Sequence, residues 1–164
     1  MSRLQKELRQ NKPFRNPRHE AVVSLLRTAD WVRQGLLRAI GSWGLTLQQY
    51  NVLRILRGAG KEGIPTLEIA ARMVEHAPGI TRLLDRLEVK GYARRERCDR
   101  DRRQVLCYVT EEALRVLAEI DPVADRADVA AMKKLGKKEI SELVRLLDLV
   151  REDQANAVQT KGDQ

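Results

Sequence analysis

The chain of 164 residues is long enough for a domain of ordinary size, and its 43% hydrophobic residues allow a buried core. Aromatic residues make up only 4%, so the core must be built from Leu, Val, Ile and Ala, which favours helices over a β-sandwich or barrel. The net charge of +8 indicates a polyanionic partner, usually nucleic acid or an acidic membrane surface.

Two cysteines are too few for a disulfide framework. An apolar run of about 18 residues, which a transmembrane helix needs, is absent from the sequence, and the polar N-terminus lacks the apolar region of a secretory signal. We therefore expect a cytoplasmic protein with no membrane partner. The basic excess is concentrated in residues 1–20, with six basic and two acidic side chains, and in residues 90–103, with seven and three.

The polar, basic residues 1–17 are interpreted as an arm that is partly disordered or frayed. Apolar residues then recur at intervals of three and four from about His19 to Ile40, which predicts a long amphipathic helix ended by Gly41 and Gly44. Thr46 is expected to cap a second helix. Residues 58–63 are glycine-rich but lack the spacing of a phosphate-binding loop, so we interpret them as an ordinary loop.

A short helix is predicted from roughly Pro65 to Met73, followed by a turn at residues 74–76. Pro78 is expected to open the next helix, which runs to about Lys90. The pattern then changes to two strands, residues 92–98 and 105–109, joined by a charged turn.

Thr110 is a suitable N-cap for the following helix, in which Pro122 predicts a kink or an interruption. A last helix carries apolar residues from Ile140 to Val150, and the polar tail after Arg151 is expected to fray. The predicted fold class is mainly α, with a small two-stranded β-hairpin wing: a winged helix-turn-helix with a helical dimerisation region. The apolar stripes of the first and last helices need a partner surface, which favours a homodimer.

The helix from Pro78 is the candidate recognition helix, because such a helix fits the major groove of double-stranded DNA. Arg82 can pair with a guanine, and the free N–H groups near the small Gly79 can meet a phosphate. The alternative is a solvated face on which Arg82 pairs with Asp85. The positions predicted to face outward are Pro78, Gly79, Thr81, Arg82, Asp85 and Arg86.

The turn between the strands is the candidate wing tip. Arg100, Arg102 and Arg103 lie within four residues, where their charges repel unless a polyanion neutralises them. Such a tip can enter a minor groove, with Asp101 holding one arginine in place. The alternative is a solvated turn that needs no partner.

Four pieces of the sequence, in this order and spacing, resemble the MarR family of bacterial regulators. They are Leu45–Leu53, Ile80–Glu88, Gly91–Arg95 and the segment from Asp101-Arg102-Arg103 to Val109-Thr110. The resemblance covers about residues 20–150. It departs from the family in a turn at 74–76 without the frequent glycine and in a longer basic arm at residues 1–18.

The resemblance implies a homodimer whose first and last two helices form the interface and which binds pseudo-palindromic operators, usually as a repressor. It also implies release of DNA by a small phenolic or lipophilic effector. By position, Thr81, Arg82 and Arg86 belong to the recognition helix, while Asp101 and Arg103 are the paired wing residues with Arg102 beside them. The expected regions are 1–45, the arm and first dimerisation helix; 46–110, the DNA-binding domain; and 111–164, the C-terminal dimerisation helices.

The sequence leaves other interpretations of the function open. The winged helix could bind RNA or protein, or Cys98 and Cys107 could face each other across the hairpin and respond to oxidants, although ordinary strand cysteines are favoured. Trp31 and Trp43 could line an effector cleft, although packing is favoured, and the ligand-binding residues are unknown. No cofactor is expected, since His19 and His76 are too few and too far apart for a metal site. The sequence contains no catalytic motif, so we do not expect an enzyme.

Overall fold

The computed structural model describes residues 2–75, 77–98 and 104–159, and for residues 153–159 only the backbone. The chain divides into two compact units, residues 1–127 and 128–164. In the described part the helices and strands are α1 (Arg3–Glu7), α2 (Pro17–Ile40), α3 (Leu47–Ala59), β1 (Ile64–Pro65), α4 (Thr66–Arg72), α5 (Ile80–Val89), β2 (Ala93–Arg97), β3 (Val105–Val109), α6 (Glu111–Met132) and α7 (Lys137–Gln159).

The N-terminal arm contains a short helix at residues 3–7, which the sequence patterns did not predict. Ser2 and Gln5 form a reciprocal cap: the Gln5 N–H donates to Ser2 Oγ (3.3 Å), and the Ser2 N–H donates to Gln5 Oε1 (2.7 Å). Leu4 is buried. The helix has only five residues, too few for hydrophobic periodicity to reveal it.

The long helix α2 begins at Pro17, two residues before the predicted start. Asn16 caps it, since Asn16 Oδ1 accepts a hydrogen bond from the His19 N–H at 2.9 Å, and proline is suited to the first helical turn. The chain leaves the helix at Gly41 and passes through a 3-10 turn to Gly44, whose φ of +61° is left-handed. The predicted glycine ending is confirmed.

The winged helix-turn-helix is built from α3, α4, α5 and a small antiparallel sheet. Thr46 caps α3 as predicted, accepting from the Gln49 N–H at 3.1 Å. The sheet has three strands in the order β1-β3-β2, with Ile64 opposite Cys107 in the first pair and Ala93 opposite Val109 in the second. The mainly α fold with a hairpin wing is confirmed, with one additional short strand.

Strand β1 replaces the predicted start of a helix at Pro65. Gly63, with a φ of +67°, turns the chain so that Ile64 is buried against the sheet, and α4 begins one residue later, at Thr66. A two-residue strand shows no alternation of its own, so the sequence pattern could not reveal it.

One hydrophobic core joins the winged helix to the first half of α6. Thr110 caps α6 as predicted, since its Oγ1 accepts from the Ala113 N–H at 3.2 Å. The helix is not interrupted at Pro122, because Ile120 and Ala124 are buried on either side of it and hold both halves. The fully buried large side chains of the core are Ile40, Val52, Leu53, Leu56, Ile69, Leu84, Leu87, Cys107, Leu117 and Ile120.

The helix α7 belongs to the second unit and carries no buried side chain among its described positions. Its exposed apolar residues include Val144, Leu149 and Val150. Over the described residues, no helix combines the length and the apolarity that crossing a membrane requires.

Candidate nucleic-acid interface

The helix α5 has one face in the core and one face in solvent. Ile80, Leu83, Leu84 and Leu87 are buried, and α5 packs against α3, α4 and β2. Helical periodicity places the intervening residues on the opposite side, where they extend away from the protein. The predicted outward residues are all exposed: Pro78, Gly79, Thr81, Arg82, Asp85 and Arg86.

The helix begins at Ile80, so the prediction that Pro78 opens it is wrong. Gly79 precedes the first helical residue with a φ of +93°, a left-handed conformation that cannot continue into an α-helix. Pro78 therefore lies in the turn before the helix. The Leu83 N–H bonds to the Gly79 carbonyl at 3.2 Å, and no side chain caps the helix.

Arg95 on β2 binds both acidic side chains of α5. Its Nε donates to Glu88 Oε2 at 2.9 Å, and one terminal nitrogen donates to Asp85 Oδ1 at 2.5 Å and also to Glu88. The hydrogen bond to Glu88 is the main reason why the pKa of the Arg95 guanidinium is raised above its ordinary value. Burial opposes this increase, and the hydrogen bond to Asp85 adds to it. The alternative pairing of Asp85 with Arg82 is therefore not what the structure contains.

Sequence reasoning missed Arg95, although a signal was present. Side chains alternate along a strand, so Arg95 lies on the same face of β2 as the buried Ala93, two residues earlier. That face packs against α5. An arginine on the inner face of a strand next to a helix with two carboxylates is the pattern that predicts this contact.

Arg82 and Arg86 are exposed and make no ion pair or hydrogen bond within residues 2–75, 77–98 and 104–159. Their guanidinium groups are the cations of α5 that remain available to an outside partner. Thr81 adds an exposed hydroxyl group in the first turn of the helix.

The wing is described as far as Cys98 on one side and from Gln104 on the other. The Cys98 N–H donates to the Gln104 carbonyl at 3.0 Å, which continues the ladder of β2 and β3 toward the tip. Arg94 stacks over the Tyr108 ring, with its guanidinium carbon 4.2 Å from the ring centroid. The predicted tip residues Arg100, Asp101, Arg102 and Arg103 lie outside the described residues.

The two cysteines do not face each other, so that interpretation is wrong. Cys107 is opposite Arg95 in the sheet, whereas Cys98 is opposite Gln104. An odd offset of three residues places their side chains on opposite faces of the sheet. Burial raises the pKa of the Cys107 thiol, and the hydrogen bond between Thr66 Oγ1 and Cys107 Sγ (3.6 Å) only partly offsets this.

The tryptophans occupy different environments. The Trp43 indole N–H donates to Glu119 Oε2 at 3.0 Å and so joins the end of α2 to α6. Trp31 is half-exposed at a groove of about 430 Å³ between α1 and α2. Among the described side chains, no group of three His, Cys, Asp or Glu is placed to hold a metal; His76 lies outside them.

The MarR family model matches residues 43–104. Transcriptional regulator HosA of Escherichia coli O157:H7 is 30% identical over 103 residues, which are 63% of this chain and 75% of that protein. A MarR transcription factor from Planctomyces limnophilus is 35% identical with a TM-score of 0.64, covering 84% of this chain and 99% of that one.

A cysteine-to-serine mutant of MarR from E. coli, complexed with operator DNA, superposes with a TM-score of 0.76 at 22% identity, covering 85% of this chain and 99% of that one. The shared fold includes the helix-turn-helix and hairpin described above. The chain belongs to the MarR family of DNA-binding transcriptional regulators.

Proposed function

We propose that the protein is a homodimeric repressor that binds a pseudo-palindromic operator with one winged helix from each protomer. In this proposal residues 46–110 bind DNA, while residues 1–45 and 111–164 supply the arm and the dimerisation helices. The recognition helix is α5, with Thr81, Arg82 and Arg86 directed into the major groove and the small Gly79 and Pro78 beside a phosphate.

The observation that carries the proposal is the outer face of α5. Its two arginines are exposed and without a partner in the described part of the chain, while its two carboxylates are both bound by Arg95. A face with available arginines and neutralised acids suits the edges of bases and the phosphate backbone. The solved MarR mutant on operator DNA is a member of this fold bound to the same class of ligand.

The dimer is supported by apolar side chains that the first unit leaves in solvent. On α2, Val22, Leu25 and Leu26 are exposed at helical spacing, and Leu26 is 65% exposed. Among the described side chains of α2, only Ile40 is buried. A two-fold dimer would cover such a stripe and would place two recognition helices about 34 Å apart, or a multiple of that distance.

The test is selection of duplexes from a random library, followed by measurement of affinity at near-physiological salt. Arg82→Ala should relax discrimination between the selected duplex and a scrambled one, since a good bidentate base contact contributes about 1–3 kcal/mol. Arg126→Ala, an exposed arginine on α6, is the matched control and should leave discrimination intact. Unchanged discrimination by Arg82→Ala would contradict the assignment of α5 as the reading helix.

The wing arginines are proposed to contact phosphates or the minor groove. Arg102→Ala and Arg103→Ala should weaken binding to all duplexes by similar factors, and the same is expected of Arg100, while Asp101 orients its neighbour. Binding should fall steeply as salt rises, because phosphate contacts release counterions. A flat salt dependence would contradict these contacts.

The proposal extends to release of DNA by a small phenolic or lipophilic effector, supported by membership of the family. Titration of a chlorophenol into the preformed complex should lower the fraction of DNA that is bound, and retention of DNA at a saturating chlorophenol concentration would contradict release by this class of effector.

Switching by oxidation is the weaker candidate, because the Cys107 thiol is buried with a raised pKa. Equal affinity for selected and scrambled duplexes, with tighter binding to RNA, would favour the RNA-binding alternative.

A further inference from the structure

Arg95 is placed to control the charge of the recognition helix. Its side chain is only 26% exposed, compared with 51% for Asp85 and 30% for Glu88, so the cluster lies at the edge of the core. All its hydrogen bonds in the described part of the chain go to these two carboxylates. The guanidinium therefore points at α5 and away from the solvent side of the wing.

The side chains of α5 itself carry a net charge of zero, because Arg95 belongs to β2. The segment Ile80–Val89 contains two arginines, Arg82 and Arg86, and two acids, Asp85 and Glu88. Asp85 lies three residues after Arg82 and next to Arg86 on the exposed side, so an unbound Asp85 carboxylate is within helical reach of Arg82. Such a carboxylate would also repel a phosphate that approaches this face.

We propose that Arg95 is a positioning residue for DNA recognition: it holds the carboxylates of Asp85 and Glu88 so that Arg82 and Arg86 remain available to DNA. This inference rests on the proposed function. In this role Arg95 contacts no DNA itself.

Binding of both carboxylates depends on the adjacent nitrogens of the planar guanidinium group. One terminal nitrogen of the planar group donates to both carboxylates, and Nε adds a second hydrogen bond to Glu88. The single ammonium of lysine has only one nitrogen and cannot reproduce this set. Arg95→Lys should therefore recover only part of the effect, although it preserves the charge.

The experiment compares the affinity of the full chain and of its variants for the selected duplex. Arg95→Met should weaken binding about tenfold, because both carboxylates become unpaired next to the phosphates. The triple variant Arg95→Met with Asp85→Asn and Glu88→Gln should recover affinity to within about threefold of the wild type, since it removes the same charges that Arg95 binds. Arg126→Met, which removes an exposed arginine of α6 outside the winged helix, is the control and should change affinity by less than about threefold.

The salt dependence separates positioning from a purely structural role. Arg95→Met should reduce the slope of log affinity against log salt by about one contact, because Asp85 then engages Arg82, and the triple variant should restore the slope. The proposal would be overturned if the affinities of the variants decreased in proportion to their thermal stability while the slope of log affinity against log salt stayed unchanged. A triple variant as weak as Arg95→Met would also overturn it, because it would show that the released carboxylates do not cause the loss of affinity.

A second variant keeps the proposal testable if Arg95→Met does not fold. Asp85→Asn with Glu88→Gln in the presence of Arg95 should bind at least as tightly as the wild type, and about tenfold weaker binding would overturn the masking role. If the wild type binds selectively and Arg95→Met binds with the same affinity, the role of Arg95 is overturned while the proposed function stands. Absence of selective binding by the wild type would overturn the proposed function, and the role of Arg95 with it.

Discussion

The helices α2 and α5 show the same kind of amphipathic pattern but have different surroundings. In α5, four apolar side chains of a ten-residue helix are buried. In α2, a helix of 24 residues, only Ile40 is buried among the described side chains. The difference shows that periodicity identifies an apolar face but does not say whether the same chain covers it. The covered face of α5 belongs to the winged-helix core, and we propose that a second protomer covers the exposed face of α2.

The largest expected effect on stability lies in the covered region. Leu84→Ala should lower the free energy of unfolding by about 3 kcal/mol, because Leu84 is fully buried on α5 and its truncation leaves a cavity in the core. Leu67→Ala on α4, where the side chain is 85% exposed, is the matched control and should cost less than about 0.5 kcal/mol. Chemical denaturation of both variants measures the contrast, and equal losses would contradict the described core.

A second contrast concerns two glycines of the winged helix. An added Cβ at Gly63 would lie 2.5 Å from the Tyr108 ring, whereas at Gly91 it would meet nothing within 4 Å. Both have left-handed φ, +67° and +71°. Gly91→Ala should therefore cost about 1 kcal/mol from backbone strain alone, and Gly63→Ala about 2 kcal/mol, since the ring must also leave its stacking on Arg94. Thermal unfolding that ranks the two variants in the opposite order would contradict the packing of Tyr108.

The uncovered face of α2 should affect assembly more than folding. Leu26→Glu should weaken the dimer at least about tenfold, because a charge would be buried in an apolar interface. Sedimentation at several protein concentrations measures this, and Leu67→Glu is the control, at a leucine outside α2 that is even more exposed than Leu26. A dimer of unchanged affinity would show that this stripe is not the interface.

The smallest expected effect is on thiol chemistry in the wing. Burial raises the pKa of Cys107, so its thiolate fraction at about pH 8 is smaller than that of an ordinary thiol, and it should alkylate slowly in the native protein. Only Cys98, which is half-buried, should be labelled before unfolding, and Cys98→Ser should abolish native labelling. Rapid labelling of Cys107 in Cys98→Ser would contradict its position in the core.

Sequence patterns predicted much of this structure where the signal was long or chemically specific. Periodicity located α2 and α5, and the cap at Thr46 and the glycine ending of α2 followed from local backbone chemistry. The outward positions of α5 were also correctly assigned, because they are the complement of an apolar face.

The missed features are short or depend on contacts distant in sequence. The helix α1 and the strand β1 have too few residues for any period, and the continuity of α6 through Pro122 depends on core packing on both sides. The pairing of Arg95 with Asp85 and Glu88 joins two elements, so the sequence of α5 alone offered only Arg82 as an alternative partner for Asp85. The prediction that Cys98 and Cys107 face each other was wrong for a similar reason. The sequence identified the two strands, but the register between them depends on the turn that joins them.

The central claim is that two equivalent winged helices, joined through the uncovered faces, read one duplex. Hydroxyl-radical footprinting of the selected duplex with the full chain tests it most directly. We expect two equivalent protected regions on the same face of the DNA, separated by about 10 base pairs or a multiple of that spacing. A single protected region, or uniform protection without a boundary, would contradict it.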